Sequence, residues 1–425
     1  MKKALTDLSL LAAITTILVV LGQPSGGGGP DALPLPSPAE GREGRPAVLV
    51  NPRVQGHATA KTIQEGIAMV DSGGKVMVLP GTYEEALVID KGLTLEAIGG
   101  ESGPVIIAPP GTLTTAIQVA TSDPVTIRDV TVQFTGVNGI RGDGVVDITV
   151  EQVRVLAVAP PLGPSFLVAV TNNAATTGGR ARLAVRESFL DGTVRPESSS
   201  FPQVFGIRVQ GDVDALPLEG NVIRRTGGAC IAVFMRNDFG GETNAEILDN
   251  DLDECYPLLR AGSLIVIGVG TPPGPVTATG VVNIVGNTIR NTFESCLPTV
   301  AIRQSFAQGH IERNRILGVV QPCATPAPGT NPGAIAIGSL LPNLPAVSPI
   351  VRFNDIEGNA HAGLRVAPNI TTQLNASCNW WGSPDGPSGA GPGSGDAIVV
   401  DALAPTPMFM PWATAPIAET DATNC

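Results

Sequence analysis

Three aspartates in the segment DNDLDE, Asp249, Asp251 and Asp253, alternate along a run that reads as a strand, so their side chains fall on one side of it. Oxygen ligands presented in that way are the kind calcium takes. Arg224 and Arg290 hold the place of Asp253 in the neighbouring segments and compete for it, which leaves Asp249 and Asp251 as the calcium candidates. Arg208 and Arg365 stand in the short apolar strands GIRV and GLRV, with Arg141 and Arg303 as their equivalents. A guanidinium is a rigid fork of donors that fits a carboxylate, so a row of them suits an acidic ligand; the competing reading is a solvated face. His310 and His361 have the right chemistry for a general base, although each follows a turn-like segment, where an ordinary loop histidine is the competing reading.

Composition limits what these residues can serve. With 26 basic and 38 acidic residues the net charge is -12, which repels nucleic acid and anionic membrane surfaces. Charged residues are only 15% of the chain and aromatics 4%, while Gly (51) and Pro (38) are abundant, which favours turn-rich β structure over long surface helices. Residues 1–22 carry a basic start and an apolar run from Leu8 to Leu21, the pattern of a secretory signal peptide. Gln23 stands where a bacterial lipoprotein has cysteine, so no lipid anchor is expected; an uncleaved anchor is the alternative to cleavage after Gly22. Residues 23–44 are rich in Gly and Pro and read as a flexible linker, which puts the folded domain at 45–425. The mature chain is expected at the cell surface, in the periplasm or outside the cell, with no stable membrane insertion.

The element that positions the side chains is a repeat. An apolar residue, two variable ones, Asn, one variable and another apolar recur as LEGNVI, ILDNDL, IVGNTI, IERNRI and VRFNDI, with Asn221, Asn250, Asn287, Asn314 and Asn354 in the slot. Val130, Val153 and Ser188 fill the same slot upstream, and Ser377 fills it in LNASCN. From Val130 to Ser377 the step averages about 31 residues, a solenoid period. A second short apolar strand follows most slots, and no helix-length segment intervenes, so the expected fold is all-β: a parallel β-helix whose coils stack at about 4.8 Å. Stacked asparagines would then hydrogen-bond from coil to coil, satisfying amides that are costly to bury alone.

Stacking also brings charges together. Two places before the slot stand Arg128, Glu151, Arg186 and Glu219 in successive coils, then Leu248, Val285, Glu312 and Arg352, with signs alternating where charges are neighbours. Such cross-strand pairs contribute roughly 0.2–1 kcal/mol each and serve register, so they are assigned to structure before chemistry. Variable spacing places insertions in loops such as 156–182 and 322–350.

Six cysteines in an exported chain imply disulfides. Cys296 and Cys323 each lie nine residues after their slots in successive coils, which is the pairing the register favours. Cys230 with Cys255 and Cys378 with Cys425 complete the set. The competing zinc site lacks a CxxC or a nearby histidine pattern. At the start, TIQEGIAMVDSGG forms a capping helix, with Thr62 and Glu65 as a capping box, Ile63, Ile67 and Val70 on one face, and Gly73 at its end. At the other end Trp380 and Trp381 follow the last slot, where they are expected to cover the final coil in a cap over 378–425; a sugar-stacking platform is the competing reading.

The segment TIQEGIAMVDSGGKVMVLPGTYEEALVIDKGLTLEA resembles the opening coil of pectin-lyase-like right-handed β-helix proteins, and NWWGSPDGPSGAGPGSGDAI is similar to the closing segment of bacterial secreted β-helix repeat proteins. The resemblance covers residues 46–412 and implies a right-handed winding. It also implies that the face carrying Arg208, Arg303 and Arg365 is where a polysaccharide lies. GTYEE at 81–85 matches an esterase framework motif, but no QDT-type or GRPW-type segment is present. The GHI at 309–311 supplies only part of a polygalacturonase signature. The expected function is binding or modification of an extracellular or cell-envelope polysaccharide, by a lyase or glycoside hydrolase if catalytic, with calcium the one cofactor expected for it. The alternative is a noncatalytic surface scaffold or adhesive protein.

Overall fold

The computed structural model describes residues 45–52, 60–99, 103–111, 115–158, 164–193, 204–235, 239, 241–255, 263–269, 280–292, 296, 300–305, 307–323, 332–339, 347–417 and 425. The signal peptide and linker expected over 1–44 lie outside them. No helix among the described residues is long and apolar enough to cross a membrane.

The described strands form three parallel sheets. The first runs from Ala47–Val50 to Ile350–Arg352, the second from Gly81–Tyr83 to Asp355–Glu357, and the third from Leu87–Ile89 through Leu364–Val366 to the C-terminal strands Gly395–Val400 and Pro387–Gly389. In each sheet the neighbour in space is the strand one coil away, so the chain winds as a right-handed parallel β-helix. The repeat is read correctly, but each coil has three strands. The slot pattern covers the end of a first-sheet strand, a tight turn, and a second-sheet strand; the glycine-led strands make the third sheet.

Alternation explains why these short segments suffice. Each strand points an aliphatic residue inward, and the inward residues stack: Ile127, Val150 and Val185 in the first sheet, Ile223, Leu252 and Ile289 in the second, Ile265, Ile302 and Ile335 in the third. All nine are essentially inaccessible. Burying a side chain of this kind contributes about 1.5–3 kcal/mol, and a strand of three residues is held because it is packed on both neighbours.

Registers place Glu151 opposite Arg128 and Arg186, Arg186 opposite Glu219, and Glu312 opposite Arg352, although Arg128 gives its hydrogen bond to Glu96 of the preceding coil. Arg224 faces Asp253, and Arg315 faces Asp355. One reading needs correction: Arg290 reaches diagonally to Asp251, while Asp253 accepts from the N–H and hydroxyl of Thr292.

The asparagine ladder is continuous. In each rung, Oδ1 of the next asparagine accepts both the backbone N–H and the Nδ2 of the one before, from Asn221 through Asn250, Asn287, Asn314 and Asn354. Each Nδ2 also donates to a carbonyl of the preceding coil, as Asn287 does to Ile247 at 2.8 Å. The ladder ends on Asn379, which accepts from Asn354 at 2.9 Å. Ser377 is therefore not the last slot. The residue before every slot is left-handed, with φ of 47–72° at Asp129, Gln152, Glu187, Gly220, Asp249, Gly286, Arg313, Phe353 and Cys378, and Cys378 points to Asn379. Upstream, Ser188 donates its N–H to Asn221 and accepts that of Val153, joining the ladder with one hydroxyl.

The capping helix spans Ile63–Met69 with the expected Thr62–Glu65 box, but ends before Gly73: Val70 is already extended at ψ 146°. Glu85 adds a carboxylate that accepts from the N–H groups of Ile63 and Gln64. The region read as a loop over 156–182 contains the third-sheet strand Ser165–Asn172 and a one-turn helix, Ala174–Thr177. All three disulfides are formed, with Cα separations of 5.9 Å (Cys230–Cys255), 5.1 Å (Cys296–Cys323) and 5.4 Å (Cys378–Cys425).

Trp381 follows Asn379 by two, so it takes the inward place held by Ile316 and Ile356 in earlier coils and is fully buried. Trp380 bridges to Asp355, faces outward and donates its indole N–H to Glu357 at 3.2 Å. Trp412 packs over Gly386 and donates to the carbonyl of Pro384.

Candidate functional site

The third sheet aligns the arginines named above. Successive registers place Gln118, Arg141, Ala169, Arg208, Ala232, Val266, Arg303, Ala336, Arg365 and Val399 in one column. The inward neighbours of this column are aliphatic, so alternation turns all four guanidinium stems outward. At about 4.8 Å per strand, the arginines lie about 10, 14 and 10 Å apart along the axis, with only Ala or Val between them.

Three of the four are held by their own sheet. Arg141 makes a two-point contact with Asp143, two residues on, at 2.7 and 2.8 Å. Arg208 donates to Gln210, again two residues on, and lies between Phe166 and Phe234 at 4.8 and 5.5 Å from their ring centres. Arg365 pairs with Asp401 of the next coil at 2.6 Å. Arg303 differs. Two residues on is Ser305, whose hydroxyl donates to the carbonyl of Gly338 in the following coil. Arg303 makes no hydrogen bond or ion pair among the described residues, its Nε is shielded from solvent, and loss of hydration pushes its pKa below the ordinary value.

Phe166 and Phe205 stack outward beside the column with ring centres 5.5 Å apart. This pair, with Phe234 and the Arg208 plane, gives the face an apolar platform about three coils from Arg303. On the second sheet Phe189 is enclosed by Arg154 and Arg224, each 4.6 Å from its centre.

The structure separates the calcium candidates. Asp249 is the left-handed residue of its turn, so the strand alternation that would align it with Asp251 does not reach it. Asp251 is engaged by Arg290. Among the described residues no group of three His, Cys, Asp or Glu side chains is placed to hold a metal ion. His310 stands on the first sheet with Nδ1 3.3 Å from Glu312, away from the arginine column. His361 lies exposed in the turn leading into Leu364–Val366, with φ 73°.

Sequence reasoning missed a second short ladder. Asn359 donates to the carbonyl of Ile316 and accepts from Val319, and Asp396 of the closing segment accepts from Gly358 and Asn359 at 2.9–3.1 Å. Burial raises the Asp396 pKa to about 6 despite these donors. The signal was present as Asn291 and Asn359, each four or five residues past a slot; Asn291 likewise donates to the carbonyl of Val319.

No protein-family model matches the chain, and no curated protein matches it. Among solved structures the chain is similar to the Dettilon tailspike protein, at 11% identity and TM-score 0.43, over 73% of this chain and 63% of that one. It is similar to the catalytic unit of a thermostable GH87 α-1,3-glucanase from Streptomyces thermodiastaticus, at 15% identity and TM-score 0.39, over 88% and 70% of the two chains. A PL6 family polysaccharide lyase from Pseudopedobacter saltans matches at 9% identity and TM-score 0.34, over 82% and 92%. The chain thus spans less than two thirds of the tailspike's length. These likenesses concern architecture alone. Its own strand order and turn ladder make the chain a parallel β-helix, wound right-handed as parallel crossovers are.

Proposed function

We propose that the protein engages an extracellular or cell-envelope polysaccharide along the outer face of the third sheet. The observation that carries this reading is the single column of Arg141, Arg208, Arg303 and Arg365, separated only by Ala and Val. An extended sugar chain running along the helix axis meets one coil per residue or so, because the strand spacing of about 4.8 Å is close to the length of a pyranose ring. The small residues leave room for the chain, and the part-exposed Phe205 and Phe234 offer apolar edges beside it.

Three disulfides suit a chain that folds in an oxidising compartment outside the cytoplasm, and export to the surface or medium is part of the proposal. Within the column, Asp143 and Asp401 hold arginines, so binding is the activity the geometry supports best. The test is a screen of the purified chain against neutral and acidic polysaccharides, with and without calcium, reading retained glycan and new reducing ends together. Retention with new ends identifies a depolymerase; retention alone identifies a glycan-binding scaffold; no retention of any glycan overturns the proposal.

A further inference from the structure

Four arginines share one column, but their environments are not equivalent, and the difference is written in the residue two places on. Asp143 and Gln210 follow Arg141 and Arg208 at that place and accept from them. Asp401 does the same for Arg365 from the adjoining coil. Ser305 follows Arg303, and its hydroxyl is turned to Gly338. The flanking column residues, Val266 and Ala336, carry no acceptor. Even among the residues between 256 and 349 that the structure does not describe, the sequence holds a single acid, Glu294.

We infer that Arg303 is the point at which the third-sheet face receives a carboxylate of its glycan ligand, a site that rests on the glycan-binding reading above and narrows it to uronic-acid-bearing chains. A part-buried cation with no counter-ion among the described residues is costly in the free protein. That cost is relieved when an anion arrives, and in apolar surroundings the gain exceeds that at a wet surface. The guanidinium fork matches a planar carboxylate at two points. Arg141 and Arg365 already hold carboxylates of the protein, so they occupy the face without adding a demand for charge on the ligand. One acidic contact along the column then sets the ligand's register, and the Phe166–Phe205 platform about three coils away meets a sugar ring of the same chain.

The experiment is calorimetric titration of the full chain, at fixed ionic strength, with oligogalacturonate and with its carboxyl-reduced counterpart, for the wild type, R303M and R303Q. The wild type is expected to bind the acidic oligosaccharide at least tenfold more tightly than the reduced one. Both variants are expected to lose that preference while keeping the affinity for the reduced form. A preference retained within twofold in the variants overturns the assignment, as does a preference of the wild type for dextran sulfate over oligogalacturonate. If the wild type binds neither oligosaccharide, the glycan-binding proposal fails and Arg303 is judged separately. Sodium glucuronate raising the melting temperature of the wild type but not of R303M, with glucose inert, then sustains the anion site; no difference between the two overturns it. R303M is expected to melt no lower than the wild type, because no pair is broken, and a marked fall would show that Arg303 has a structural partner.

Discussion

Replacing Asn287 by alanine tests whether the ladder stabilises the coil stack. Asn287 is fully buried. Its Oδ1 accepts the backbone N–H of Asn250 at 3.0 Å and the Nδ2 of Asn250 at 2.9 Å; its own Nδ2 donates to Asn314 at 2.9 Å and to the carbonyl of Ile247 at 2.8 Å. After truncation Asn250 Nδ2 keeps the carbonyl of Leu218, and Asn314 Oδ1 keeps the backbone N–H of Asn287. The backbone N–H of Asn250 is left without an acceptor. One orphaned buried donor costs about 1–3 kcal/mol and the further lost bonds, taken at the low end of their net range, about 0.5 kcal/mol apiece, so the expected loss is about 3–4 kcal/mol. The assay is denaturant unfolding at unchanged m-value, combined with amide exchange at Asn250, which should accelerate about a hundredfold if exchange follows the same opening. Asn287→Ser should lose roughly half as much, since Ser188 already shows that a hydroxyl in this slot can take an N–H, at 3.2 Å from Val153. A loss below about 0.5 kcal/mol with Asn250 exchange unchanged would refute the reasoning.

Two other perturbations follow from the C-terminal coil. Trp381→Ala empties an inward place of the second-sheet stack and should cost about 3–5 kcal/mol, whereas Trp380→Phe, which removes the bond to Glu357 and trims a buried ring without emptying its place, should cost about 1–2 kcal/mol; equal effects on thermal unfolding would contradict the inward and outward placement. Asp396, with its pKa raised to about 6, keeps its proton in the folded state through a window in which the unfolded chain has lost it. Its contribution to stability is therefore most favourable below about pH 4 and falls as pH rises to about 6, by on the order of 2–3 kcal/mol. The stability difference between the wild type and Asp396→Ala, measured from pH 4 to pH 7, should shrink as pH rises; a difference that is flat or grows would contradict this.

Most of the fold was legible because the repeat carries its own register. Once Asn221 to Asn354 are aligned, the pairs Arg128–Glu151–Arg186–Glu219 and the Cys296–Cys323 bridge follow from counting alone. The last slot was not, because two phases of the pattern fit LNASCNWW: Leu374 leading to Ser377, or Ala376 leading to Asn379 and Trp381. A small alanine and a tryptophan replaced the usual aliphatic pair, and only the left-handed Cys378 and the bond from Asn354 separate the two. Diagonal contacts such as Arg290 to Asp251 depend on side-chain reach, which a column of letters does not contain. The arginine column is visible in the sequence, whereas its inequality depends on where the side chains two places on turn: Asp143 and Gln210 to their arginines, Ser305 away to Gly338.

The claim that a polysaccharide lies on the third sheet is tested most directly by hydroxyl-radical footprinting in saturating oligogalacturonate. Phe205 and Phe234 report on that face, and Phe189 reports on the second sheet. Oxidation of Phe205 and Phe234 should fall severalfold while Phe189 is unchanged. Protection of Phe189 with Phe205 and Phe234 unaltered, or no protection at any of the three, would contradict it.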